Sequence, residues 1–312
     1  MIRVGNAPCS WGTIEGLEAR IPYAQMLDEL VGAGFEGTEL GDYGFMPTNP
    51  EELHGELASR GLTMLGAYHG VYLRDPAAHA PGREKALRIA TLLAAVSHAV
   101  PADPGEQAWR PFLVLADEHS RDAPRFERAG RIGIDDGLST GDWRQFTRGA
   151  QEIADVVQGE TGIETVFHPH CAGYVETPDE IERFLHLTDP ELMAIVLDTG
   201  HYLYGGGTSD GSLVLEGIDR FRERIRYVHF KDCDRRVATR AREAGLDYRG
   251  AVGEGVFCEL GEGSVDFGAV LEKLRELDYV GWITVEQDVL PGMGSPKESA
   301  ARNRDYLRTL GL

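Results

Sequence analysis

Short apolar runs alternate along the chain with stretches of helical spacing, and the alternation repeats eight times. The runs Ile2–Cys9, Phe35–Leu40, Leu62–Tyr68, Phe112–Ala116, Glu164–Phe167, Met193–Leu197, Ile225–Phe230 and Gly281–Val285 are short and rich in strand formers, so they read as strands. Tyr23–Ala33, Asn49 to Arg60, Arg83–Val100, Asp142–Gln158, Pro178–Leu187, Leu213–Arg222, Phe267–Leu277 and Pro296–Leu310 read as helices. Some starts are explicit. Thr177-Pro178-Asp179-Glu180 carries a Thr cap, Pro at the first helical position and Glu at the third. Strands of this kind alternating with helices imply a parallel sheet covered by helices. Eight such units predict a single (β/α)8 TIM barrel spanning residues 1–312 as one α/β domain. An open doubly wound sheet would need a glycine-rich phosphate turn after its first strand. Asn6-Ala7-Pro8-Cys9-Ser10-Trp11-Gly12 has none, so no dinucleotide site is expected. Two connections are long, Asp117–Gly141 and Asp232–Val265. Both follow strands, so both belong on the face where the strands end, as lids or interface arms.

In a barrel, the C-terminal ends of the strands converge on one pocket. Read in order, those ends carry Trp11, Glu39, His69, Asp117 with Glu118, His168 with His170, Asp198 with His201, His229 with Lys231, and Glu286. Five of the chain's 10 histidines fall there, a concentration that chance placement would scatter. Alternation along an extended segment puts His168 and His170 on one side, and likewise His229 and Lys231. Pro169 ends the fifth strand, because it has no N–H for a central ladder. His168, Asp198, His229 and Glu286 come from four consecutive strands and make a mixed N/O donor set. That set suits one divalent transition metal, Mn²⁺, Co²⁺, Zn²⁺ or Fe²⁺, better than Mg²⁺ or Ca²⁺. Each ligand alone has a bland alternative: Asp198 as a helix cap, a histidine as a satisfied core residue. Asp232 reads as a loop hydrogen bonder.

Composition narrows the partners. A net charge of −20 repels phosphate backbones, so no nucleic acid is expected. No apolar run has the length of a membrane helix, and no partner membrane is expected. The N-terminus lacks a basic region followed by an apolar stretch, and the four cysteines form no C-x-x-C pair. Both fit the reducing cytoplasm. The sequence neither requires nor excludes a homo-oligomer.

The motifs resemble those of the xylose isomerase-like TIM-barrel superfamily of sugar isomerases, epimerases and dehydratases, and within it the inosose (2-keto-myo-inositol) dehydratases. The resemblance runs through Gly5–Gly12, Gly37–Gly41, His168-Pro169-His170 to Glu176, Leu197–His201, Val228–Asp232, Gly261–Phe267 and Gly281–Glu286, which is nearly the whole chain. The opening stretch and the His-x-His after the fifth strand are its specific parts. Many members carry a Glu ligand at the end of the fifth strand, where this chain has His168. The connections after the fourth and seventh strands are longer than the family leads one to expect.

The resemblance implies a divalent metal, a small polyol ketone or sugar as substrate, and dehydration through a metal-stabilised enediolate. His170, His201, Lys231 and Glu39 are the candidate acid–base and polarising groups, with base and acid unassigned. Trp11, His69 and Glu118 are candidate substrate contacts, Trp11 by stacking on the ring or else by packing. Other readings share the barrel. A ketose epimerase or isomerase would return the proton, and a 3-keto-glycoside lyase would expel an aglycone. A DNA endonuclease would need a basic face. A non-catalytic sugar-binding protein would not need a complete ligand set.

Overall fold

The computed structural model describes residues 1–12, 21–98, 109–118, 121–208, 210–289 and 294–312. The first half of the chain alternates β1 (Ile2–Asn6), α1 (Tyr23–Ala33), β2 (Gly37–Glu39), α2 (Pro50–Ala58), β3 (Thr63–Val71), α3 (Pro76–His98) and β4 (Phe112–Asp117). It continues with α4 (Ala123–Glu127), α5 (Thr140–Thr161), β5 (Thr165–Phe167), α6 (Pro178–Leu187), β6 (Ala194–Asp198), α7 (Thr199–Gly205), α8 (Ser212–Phe221) and β7 (Ile225–Phe230). Then come β8 (Asp232–Cys233), α9 (Arg235–Ala244), α10 (Tyr248–Gly253), β9 (Phe257–Cys258), α11 (Phe267–Glu276), β10 (Gly281–Val285) and α12 (Pro296–Thr309). Eight parallel strands close in the order β1-β10-β7-β6-β5-β4-β3-β2, and β8 and β9 pair as a separate antiparallel ribbon. The eight expected strands are the barrel strands.

Local chemistry sets the ends of the elements. Asn49 accepts the N–H groups of Glu51 and Glu52 at the start of α2, and Thr177 with Glu180 forms a capping box on α6. The expected helix Arg83–Val100 begins earlier, at Pro76, because the Asp75 carboxylate accepts the Ala77 N–H and opens the helix ahead of Pro81. Its expected end at Val100 lies outside the described residues. Two apolar layers result. Leu65, Phe112, Val114, Val166, Val196, Tyr227 and Trp282 fill the barrel interior, while a larger core lies between strands and helices.

The two long connections hold more structure than the sequence suggests. The first contains α4, and the second β8, α9, α10 and β9. Asp232 ties the second together. Its carboxylate accepts the N–H groups of Cys233, Gly261, Gly263 and Val265 at 2.8–3.1 Å. Gly263 is required here, since a Cβ would stand 2.2 Å from Asp232 Oδ1. None of the four cysteines forms a disulfide, and among the described residues no helix is long and apolar enough to cross a membrane.

Candidate metal centre and active site

Strand register builds the centre. Asp198 pairs with His229 and His229 with Thr284, so their side chains enter the barrel mouth at one level. His168 follows β5 and is fixed by its N–H on the Leu115 carbonyl, while the Glu286 N–H bonds Phe230. His168, Asp198, His229 and Glu286 each offer a donor atom within 4.8 Å of the others. Asp198 Oδ2 lies 3.8 Å from His168 Nε2 and 3.9 Å from His229 Nδ1, which is 3.3 Å from Glu286 Oε1.

The fit to a cation rests on unsatisfied atoms and on charge. Asp198 Oδ1 caps α7 through the His201 N–H at 2.8 Å, but the buried Oδ2 has no hydrogen-bond partner, and neither does His229 Nδ1. Such atoms cost about 1–3 kcal/mol each when left unpaired in a fold. The far nitrogen of His229 lies 2.9 Å from Glu39 Oε1, which also accepts the Tyr227 hydroxyl at 2.8 Å. That carboxylate fixes the ring so that Nδ1 faces the cluster, as outer partners do for metal-binding histidines. Burial opposes charge on His229, but Glu286, Glu39 and Asp198 outweigh burial and push it up to about 9. Three carboxylates around one imidazole call for positive charge, and a divalent cation meets that demand.

Beside the cluster, Lys231 Nζ lies 3.2 Å from Glu286, 3.3 Å from Asp288 and 3.2 Å from His201 Nε2. Burial works against this ammonium, yet Asp288 and Glu286 hold its pKa well above the ordinary value. His170 and His201 stack with ring centroids 3.9 Å apart. The backbone of Cys171 serves both: its N–H donates to His201 Nδ1 at 3.3 Å, and its carbonyl lies 2.7 Å from His170 Nδ1.

The other expected residues have different partners. Glu39 is at the centre but is occupied with His229 and Tyr227. Trp11 is 2% exposed, packs in the outer core, and donates its indole N–H to Glu29 on α1. It closes a 3-10 turn over Pro8–Trp11. His69 faces outward onto α3, its Nε2 2.9 Å from the Gly82 carbonyl, and burial lowers its pKa to about 4. β3 runs past the expected end at Tyr68 to Val71, so His69 lies within the strand with outward parity. Glu118 pairs with Arg121 at 2.9 Å, half-buried. Two residues at the centre went unread. Asp288 carries a signal, standing two positions after Glu286. Tyr248 carries none; it arrives from α10 and packs 5.5 Å from His170.

A buried network carries the loop that bears His168 and His170. Arg125 forms two hydrogen bonds to Glu180 at 2.8 and 2.9 Å and a third to the Gly173 carbonyl. Glu176 accepts the N–H groups of Gly130 and Ala172. Burial pushes Glu176 up from 4.5 to about 7, although Arg125 and the two N–H groups pull the other way. A carboxyl raised in the folded state stabilises the fold while protonated, and the contribution is lost as pH rises through about 7. Glu176→Gln, which does not ionise, should therefore cost more stability at about pH 5 than at about pH 8 in urea denaturation. An equal cost at both would remove the link.

The profile of the xylose isomerase-like TIM barrels matches residues 27–310. The chain belongs to that family. An inosose dehydratase of Geobacillus kaustophilus is 32% identical, covering 99% of this chain and 94% of its own. One of Bacillus velezensis is 30% identical over 97% and 94%. Among solved structures, the IOLI protein with a binding zinc atom aligns at TM-score 0.65 and 13% identity, over 99% of this chain and 97% of that one. The 3-keto-D-glucoside 4-epimerase YcjR of E. coli aligns at 0.66 and 16%, over 99% and 100%. At such identities these structures establish the barrel alone.

Proposed function

We propose that the chain is a hydro-lyase that removes water from a cyclic polyol ketone, 2-keto-myo-inositol or a close relative of it. The observation that carries this reading is the convergence of two imidazoles and two carboxylates, with unpartnered buried donor atoms, beside His170, His201 and Lys231. The near-full-length relatives supply the reaction class and the ketone. His168, Asp198, His229 and Glu286 would hold a divalent transition metal, Mn²⁺ or Co²⁺ before Zn²⁺ or Fe²⁺. Bound there, it supplies positive charge that polarises the ketone and its neighbouring hydroxyl and so acidifies the adjoining C–H bond.

The chain's own groups divide the proton work. With the Cys171 carbonyl 2.7 Å from His170 Nδ1, the neutral ring carries its proton there and presents a lone pair at Nε2. His170 is then the base that takes the proton from the carbon beside the ketone. His201 accepts the Cys171 N–H at Nδ1, so its neutral ring carries the proton at Nε2. In the resting site His201 Nε2 and Lys231 Nζ lie 3.2 Å apart; a substrate oxygen that enters between them would take both as donors, and that oxygen is the departing hydroxyl. The hydroxyl leaves as water with the His201 proton, a C=C bond forms, and the enol becomes a dione. Each acid–base group is worth roughly 10²–10⁴-fold. Glu39 takes no proton from substrate in this scheme; it holds His229.

Incubation with 2-keto-myo-inositol and Mn²⁺ tests the proposal. Growth of the conjugated dione absorbance is expected. An isomeric ketone without that absorbance would make the chain an epimerase, and unchanged ketone would reject the substrate.

A further inference from the structure

The excursions after β4 and β7 meet over the site. Tyr248, at the start of α10, packs edge-to-face on Phe126 of α4 with centroids 6.1 Å apart. Next to it, the Leu246 carbonyl accepts a hydrogen bond from Arg131 of the β4 excursion at 2.9 Å. The backbone leading in is equally fixed: Gly245, at φ 67°, closes α9, and Asp247 caps α10 through the Gly250 N–H. Held from both sides, the Tyr248 ring lies 5.5 Å from His170 and 6.2 Å from His201, nearly parallel to the latter at 24°. Tyr248 and His170 are half-buried while His201 is 1% exposed, so the tyrosine packs on the outer side of the buried His201. On the other side, Phe257 of β9 packs 4.9 Å from His201 and lies under the Lys231 ammonium.

The geometry points to Tyr248 as the specificity-determining wall of the substrate site, held by the two excursions so that a single polyol ring fits and a ring bearing a second group does not. The inference rests on the proposed polyol substrate. An aromatic face suits the C–H face of such a ring. In this reading the aglycone of a glycoside seated on the same ligands meets Tyr248 beside His170 and His201. The tyrosine contributes shape through its ring.

Binding of unreactive polyols tests this apart from catalysis. Calorimetry would compare myo-inositol with methyl β-D-glucoside on Mn²⁺-supplied wild type, Tyr248→Phe and Tyr248→Ala, each checked for fold by circular dichroism and for metal content. Wild type and Tyr248→Phe should favour myo-inositol by about tenfold or more, and Tyr248→Ala should bring the ratio within about twofold. Equal affinities in wild type, binding of neither polyol, or an unchanged ratio in Tyr248→Ala would overturn the wall. Turnover of 2-keto-myo-inositol is scored separately: none, with the binding preference intact, defeats the dehydratase reading and leaves the wall standing.

Discussion

Asp198→Asn should yield a folded protein that no longer retains a transition metal. The substitution separates two jobs done by one side chain. Oδ1 caps α7 through the His201 N–H, and an asparagine oxygen can do the same. Oδ2 points among His168, His229 and Glu286 with no hydrogen-bond partner, and there the substitution replaces an anionic donor with an amide. Loss of an outer partner costs metal sites about 10–100-fold in affinity, and loss of a charged ligand should exceed that. Wild type should carry about one metal per chain by elemental analysis, as one cluster of this kind provides. Asp198→Ala should lose the metal and about 1 kcal/mol of stability besides, because the cap goes too. Full metal retention in Asp198→Asn would remove the cluster as a metal site.

His170→Gln and His201→Gln should fail at different steps. If His170 takes the α-proton, its removal should slow both dehydration and exchange of that proton with D₂O by roughly 10²–10⁴-fold. If His201 protonates the departing hydroxyl, its removal should slow dehydration by a similar ~10²–10⁴-fold while exchange continues. Proton NMR of the ketone in D₂O reads exchange, and the dione absorbance reads dehydration. Both variants should keep their metal, since neither ring belongs to the cluster. Exchange preserved in His170→Gln and lost in His201→Gln would reverse the assignment. The two rings take opposite tautomers because the backbone of one residue, Cys171, offers an N–H to one and a carbonyl to the other.

The four residues of the cluster were legible because strand parity is a local property. Asp198 and His229 sit at paired positions of neighbouring strands, and His168 and Glu286 follow the next ones. His69 shows where that legibility ends. Three further residues of β3 turned a presumed loop residue into an outward-facing strand residue, and apolar runs do not mark strand ends sharply. Trp11 was lost to a 3-10 turn, which a Pro-containing loop conceals. Glu39 reached the centre, but its role was set by His229 and Tyr227 on a strand across the barrel, a contact that no spacing encodes. Tyr248 was out of reach for the same reason, because its place depends on Phe126 and Arg131 in another excursion.

If this cluster is the centre of a dehydration, the mass of the product shows it. After incubation with 2-keto-myo-inositol, Mn²⁺-supplied wild type should give a product lighter by one water. Chelator-stripped wild type and Asp198→Asn should leave the ketone unchanged. A product of unchanged mass but altered stereochemistry, or water loss that persists in the stripped protein and in Asp198→Asn alike, would contradict it.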